Sequence, residues 1–185
     1  MNIHRRRVTG AAAVTLAAAT LVGVSAAPAD AATAPEHLLG VRWVTPHRGP
    51  LVVDVVDHTG YRWPVHAASA AWSTGAGVRY AYVRSCQRSR PCVVVYEGHY
   101  GRNGWFGVTE AWTSSRGRLA SPSLIKLNDS YPQSARVRRS VVCQELGHAL
   151  GLDHNARRTS CMDDGAYATR PDRTDLRALA ALYRH

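Results

Sequence analysis

The run Val141-Val142-Cys143-Gln144-Glu145-Leu146-Gly147-His148-Ala149-Leu150-Gly151-Leu152-Asp153-His154 concentrates the side chains best suited to chemistry. On a helix turning about 100° per residue, with Gln144 at zero, His148 lies near about 40° and Glu145 near about 100°, so the three share a face. Val142, Leu146 and Ala149 fall at about 140–200°, and Val137 and Val141 lie on the polar side one and two turns earlier. A helix apolar on both faces runs through the middle of a domain. Gly151 can take a positive φ and turn the chain, which brings His154 back beside His148. Two imidazoles held together are donors for a divalent metal, a carboxylate beside them is a candidate general base, and a third ligand would close the site.

The elements that must position these groups are legible in outline. Leu51 to Asp57 is a β-branched run, Pro64 to Ser73 an Ala-rich helix opened by proline, and Arg79 to Ser85 and Cys92 to Tyr96 read as strands. Gly98 to Gly107 is a Gly-rich loop, Val108 to Trp112 a short edge strand and Ser123 to Leu127 another strand. Arg136 to Leu150 makes the helix that Gly151 ends, and Pro171 begins a closing helix with Leu176, Leu179, Ala180 and Leu182 near helical spacing. One domain over 32–185 accommodates all of this.

Residues 1–31 read as a secretory signal. Arg5, Arg6 and Arg7 precede an Ala/Val/Leu-rich stretch from Val8 to Val24, and Ala29-Asp30-Ala31 fits a cleavage frame, with Ser25-Ala26-Ala27 as an alternative. Export would leave the four cysteines oxidised, with three connectivities possible. The pairing Cys86–Cys92 closes a short turn between apolar runs, and Cys143–Cys161 ties the helix to the loop beyond it. A secreted, monomeric protein is the expectation.

With 45% hydrophobic and 19% charged residues, the chain is neither disordered nor fibrous. The formal net charge is +10, yet all but one of the 23 basic residues are arginine, Lys126 being the exception. Combined with abundant alanine, that pattern is read as a solvated basic surface from GC-rich coding, and no nucleic-acid partner is expected. An anionic cell-surface polymer remains a candidate partner of the arginines. A metal-free binding protein of that kind would show steep salt sensitivity.

The chemical run resembles the zinc-binding motif of the metzincin metallopeptidases, H-E-x-x-H-x-x-G-x-x-H followed by a methionine turn, with Gln144 at the first histidine position. Glu145, His148, Gly151 and His154 match it. Met162, in Ser160-Cys161-Met162-Asp163, stands where such families place the Met-turn, and the helix ending Ala181-Leu182-Tyr183 resembles their C-terminal helix. Gly107-Val108-Thr109 and Leu124-Ile125-Lys126-Leu127-Asn128 resemble the edge strand and following strand of matrixin-like and small secreted neutral proteases. The resemblance implies an α+β fold in which a twisted mixed sheet packs on a central active-site helix. It also implies Zn2+ held by Gln144, His148 and His154, with Glu145 as general base hydrolysing a peptide or protein substrate. Met162 would be an apolar floor beneath the metal, bolted to the helix by Cys143–Cys161. The tyrosine that some branches carry two residues after the methionine is Asp164 here, so no tyrosine ligand is carried over.

Gln144 leaves three arrangements open, because a neutral amide oxygen is a poorer ligand than imidazole. Gln144 Oε1 completes a weakened site. Alternatively the protein is a catalytically inactive binding module that keeps the fold, or another side chain, such as a histidine from a loop, supplies the ligand. Glu145 favours a metal, since a buried carboxylate without a cation is costly. His37, His47, His58, His66 and His99 read as isolated surface histidines; Trp105, Phe106 and Trp112 are divided between lining a cleft and packing the core.

Overall fold

A computed structural model describes residues 3–9, 38–44, 49–73, 77–165 and 167–183. In chain order the elements are β1 (Ile3–Thr9), β2 (Leu51–His58), α1 (Val65–Trp72), β3 (Val78–Tyr82), β4 (Cys92–Gly98), β5 (Gly107–Ser114), β6 (Leu119–Asn128), α2 (Ala135–Ala149) and α3 (Arg173–Tyr183). The strands form one mixed sheet in the order β1-β5-β6-β4-β2-β3. Pairings among β3, β2, β4 and β6 are parallel, whereas β5 runs antiparallel to β6 and to β1. The α+β class read from the sequence is therefore present, with strands β2 to β6 mostly parallel.

Composition explains which strands lie inside. Val53, Val55, Val93, Val95, Ile125 and Leu127, at alternate positions of β2, β4 and β6, are inaccessible to solvent on one face of the sheet, where β-branched side chains pack well. The expected elements appear with shifted ends. Pro64 is the N-cap of α1 and lies outside it. Pro171 likewise precedes α3, because Asp172 caps that helix, its carboxylate accepting from the Thr174 and Asp175 amides at 2.7 and 3.3 Å.

The strand expected at Val108 to Trp112 is longer, with a bulge between Glu110 and Trp112, and it is not an edge in this chain. Ile3–Thr9, read from the sequence as the head of a secretory signal, pairs with the outer side of β5 from Thr9↔Val108 to Ile3↔Ser114. Residues 10–37, which hold both proposed cleavage frames and His37, lie outside the described residues, as does His47.

Helix α2 is the centre of the molecule. Ser134 caps it, accepting from the Val137 amide at 3.3 Å, and Arg138 in its first turns reaches Asp129 at 3.3 Å while lying over the Trp63 ring at 4.9 Å. From Ser140 to Ala149 every residue except Gln144 is buried. Donors from all around the fold bond its carbonyls: Trp72 Nε1 to Cys143 at 2.8 Å, Tyr80 Oη to Leu146 at 2.6 Å, and Trp43 Nε1 to Ala149 at 2.9 Å. Tyr183 Oη reaches Leu150, the C-cap, at 2.8 Å. The last two satisfy carbonyls that a helix end leaves without an intrahelical partner.

The loop between α2 and α3 is organised by Asp175, fully buried on α3. Its carboxylate accepts from Ser160 Oγ at 2.6 Å, Asn155 Nδ2 at 2.7 Å and the Asp172 amide at 2.7 Å, and Ser160 Oγ in turn accepts from the Met162 amide at 2.8 Å. The position of Met162 thus depends on a charge one helix away. Replacing Asp175 with alanine strands three donors, Ser160 Oγ buried and those of Asn155 and Asp172 half-buried, and we expect a loss of about 3 kcal/mol of unfolding free energy. Urea titration checks this, and a loss below about 0.5 kcal/mol would show that the network does not hold the loop.

Candidate functional site

The C-terminus of α2 sets the first histidine. Gly151, at φ +91°, follows the C-cap Leu150, and the amides of Gly151 and Leu152 return to the carbonyls of His148 and Gly147 at 2.9 and 3.1 Å, the paired bonds of a Schellman motif. A side chain at 151 would also strike the Val41 carbonyl. The turn aims the Leu152 carbonyl at His148 Nδ1, 2.9 Å away. A carbonyl only accepts, so Nδ1 carries the proton and Nε2 keeps its lone pair. Burial, followed by the neighbouring His154, lowers the His148 pKa to about 4, leaving a neutral imidazole.

That lone pair faces the second histidine. His148 Nε2 and His154 Nε2 are 3.0 Å apart, with ring centroids separated by 4.6 Å, so the sharp turn inferred from Gly151 does bring them together. His154 Nε2 also stands 3.2 Å from Asp164 Oδ1, and Gln144 Nε2 donates to that same oxygen at 2.7 Å. A continuous row of contacts runs from His148 through His154 and Asp164 to Gln144. Among the described residues no group of three or more His, Cys, Asp or Glu side chains is placed to hold a metal ion.

Gln144 presents its amide nitrogen, not its oxygen, to the Asp164 carboxylate. Asp164 is the residue that sequence reasoning passed over. Its signal was positional, two residues after Met162, where the resembled families place a tyrosine in some branches.

Glu145 lies deeper, 3% exposed. Thr109 of β5 sits against it, with Oγ1 2.7 Å from Glu145 Oε2 and 2.9 Å from the Glu145 carbonyl. Burial raises the Glu145 pKa to about 8; the Thr109 hydrogen bond opposes this and the charge of Asp164 adds to it. Gly107 lets β5 pass this close, since a Cβ there would lie 2.7 Å from Val141 Cγ1 and 2.8 Å from Glu145 Cγ. A cavity of about 210 Å³ opens here, lined by Gln144 and Glu145 together with Phe106, Gly107, Ser140, Val141, Asp163, Asp164 and Tyr167. His148 and His154 do not line it.

Met162 is fully buried beneath the helix. Gly147 makes room for it, because a side chain there would strike Met162 Sδ and the Trp72 ring. Cys143 pairs with Cys161, the residue before Met162, and Cys86 pairs with Cys92. The remaining candidates separate clearly. Phe106 lines the cavity and packs edge-on to Tyr131, while Trp105 leans on Tyr100 and Trp112 lies over Ala120 and Pro122 in a different groove. His58 stacks on Tyr96, His66 meets Tyr82 edge-on, and His99 is exposed. Tyr167, with φ +50°, is a further cavity residue with no distinctive signal in the sequence.

No family model and no curated protein matches this chain. Among solved structures it is similar to that of myroilysin, with 16% identity over 80% of this chain and 98% of that one and a TM-score of 0.47.

The packing of β5 on Glu145 is directly testable. Gly107→Ala forces a methyl between Val141 and Glu145, and overpacking of this kind costs about 1–3 kcal/mol. Chemical denaturation should show that loss, and an unchanged midpoint would mean that β5 and α2 separate without cost.

Proposed function

We propose that this protein is a secreted zinc-dependent endopeptidase of metzincin type, working outside the cell on peptide or protein substrates. The observation that carries the reading is the convergence of His148 Nε2 and His154 Nε2 at 3.0 Å, beside a buried glutamate that opens on a cavity. Two ligands each about 2.0–2.1 Å from a tetrahedral zinc ion lie about 3.3 Å apart, so the 3.0 Å separation of His148 Nε2 and His154 Nε2 suits that ion after a shift of a few tenths of an ångström. The donors fit chemically as well. His148 is neutral, its Nδ1 is occupied by the Leu152 carbonyl, and the bond fixes its orientation as carbonyls behind metal-bound imidazoles do.

Zinc held here would supply Lewis acidity to a carbonyl and acidify water. The chain supplies the proton handling. Glu145 accepts a proton from the attacking water and passes it to the leaving amine, with Thr109 holding its carboxyl group toward the cavity. A cation at the histidines would favour the ionised form of Glu145 that this role requires, offsetting the burial that raises its pKa. Gln144, at the position of the first motif histidine, contributes its amide to the same opening. Two disulfides suit an oxidising, extracellular location.

One observation favours a second reading, a non-catalytic module. The row from Leu152 O through His148, His154 and Asp164 to Gln144 can be satisfied by hydrogen bonds alone, with the His154 Nε2 proton shared between two acceptors.

Hydrolysis of an unstructured protein separates the two. The purified protein should cleave it, lose that activity on chelation and recover it when zinc is returned. Glu145→Gln should lower kcat/KM by about 10²–10⁴-fold while leaving zinc bound. A parent protein that is inert at every zinc concentration would overturn the peptidase reading and leave the module.

A further inference from the structure

We infer that the protein selects peptides carrying an acidic residue: a pocket lined by Arg62, Arg136 and Arg139, next to the cavity that Glu145 lines, receives an Asp or Glu side chain of the bound substrate. The inference rests on the peptidase reading above and names the substrate class that reading leaves open.

The first ground is charge. Arg62, Arg136 and Arg139 line one cavity of about 380 Å³, all three are exposed, and among the described residues no carboxylate stands within ion-pairing distance of any of them. Arg138, between two of them in the chain, shows the opposite state, buried and paired with Asp129 at 3.3 Å. Guanidinium groups stay charged at every working pH, so three of them around one pocket repel one another until an anion enters. A carboxylate matches the planar fork of arginine and accepts from more than one of them.

The second ground is that the pocket is built in advance. Asp129 Oδ1 accepts from Trp63 Nε1 at 3.2 Å and from Arg138 at 3.3 Å, and the Arg138 guanidinium lies over the Trp63 ring at 4.9 Å. Trp63 follows Arg62, and Arg138 lies on α2 with Arg136 and Arg139, so the turn and the helix that supply the three charges are locked together behind the pocket. Arg136 Nε donates to the Tyr167 carbonyl at 3.1 Å, which orients that side chain and leaves its terminal nitrogens available. Binding then costs the ordering of a few side chains and no rearrangement of the backbone.

The third ground is position. Arg139 lines the arginine pocket and Ser140, the next residue, lines the cavity; Tyr167, bonded to Arg136, lines the cavity too. Arg136, Ser140 and Gln144 follow at four-residue spacing along one side of α2. At about 1.5 Å of rise per residue, Arg136 and Gln144 are about 12 Å apart along the helix, the length of about three to four residues of extended peptide. An acidic side chain in the pocket therefore belongs to a residue about three or four positions from the bond over Glu145. At that bond the sign reverses, because Asp163 and Asp164 line the cavity. Acid is favoured at one position and repelled at the other, a pattern that suits a peptide with a single acidic residue and opposes a polymer charged along its whole length.

The test uses the full chain and fluorogenic peptides of about ten residues, built around a bond that the protein cleaves and differing only in Glu or Gln at each position in turn. Hydrolysis is measured with the parent, and binding is measured by fluorescence anisotropy with Glu145→Gln protein. At low ionic strength, Glu about three or four residues from the bond should raise both kcat/KM and affinity about 10-fold over Gln, and about 0.5 M salt should reduce the preference to about threefold or less. Glu beside the bond should lower both. The double variant Arg62→Gln with Arg139→Gln should bring the preference to within about twofold, and Arg62→Glu with Arg139→Glu should transfer it to Lys at the same position. Melting temperatures verify folding, and the charge-reversed pair is read where the neutral pair does not fold. Equal hydrolysis and binding of Glu and Gln peptides at every position, or a preference that survives in the folded variants, overturns the inference and leaves the peptidase reading standing. A sulfated polysaccharide whose binding needs the arginines while Glu and Gln peptides bind alike overturns it as well. If the parent is inert, the same scan in a neutral sequence is read by anisotropy alone: Glu-selective binding that the double variant loses sinks the peptidase reading and keeps the acidic-peptide pocket, and unselective binding sinks both.

Discussion

The burial of α2 is the constraint on which everything else depends. A helix enclosed along ten residues cannot leave its surplus polar groups to water, so the fold surrounds it with donors: Trp43, Trp72, Tyr80, Thr109 and Tyr183 each bond one of its carbonyls. Each such bond contributes about 1 kcal/mol net, and leaving its partner unmet in the interior costs more. These donors come from the segment before β2, from α1, β3 and β5, and from α3. The helix that carries Gln144, Glu145 and His148 is therefore fixed from every side, and the site inherits that rigidity.

Rigidity has a second source in the small residues facing the helix. Gly107 on β5 and Gly147 on α2 are positions where a single methyl would collide with Glu145 or with Met162 and Trp72. Their effect is to bring strand, helix and the turn holding Met162 to closer separations than ordinary side chains allow. Glu145 is consequently pressed between β5 and the cavity, and its carboxyl group is held by one hydroxyl while burial works against its charge. Burial of a carboxyl group in that situation is a cost to stability, and strongly shifted groups of this kind concentrate at functional sites.

The basic surface and the acidic opening are separate features. The chain has a formal charge of +10, yet the ionisable carboxyl groups at the cavity are Asp163, Asp164 and Glu145, and no described arginine, lysine or histidine lines it. A local negative field inside a cationic protein favours positive charge at the cavity, while the arginine surface acts on solubility.

Much of this was determined by the chain itself. The β-branched runs specified the central strands, the two-sided apolar pattern marked α2 as an interior helix, and Gly151 announced the turn that returns His154 to His148; all depend on contacts between near neighbours or on periodicity, which a sequence displays directly. Both cysteine pairs were likewise foreseen, since each closes a short separation. What only the tertiary structure decided is the role of residues whose partners are distant in the chain or not implied by type. The pairing of Ile3–Thr9 with β5, the organising charge of Asp175, and the aromatic donors on α2 carry no periodic signature. Above all, the meaning of Gln144 was not contained in Gln144. A side-chain amide is donor or acceptor according to what stands opposite, and the carboxylate that settles its orientation arrives twenty residues later, on a turn whose position is set by a disulfide and a buried aspartate.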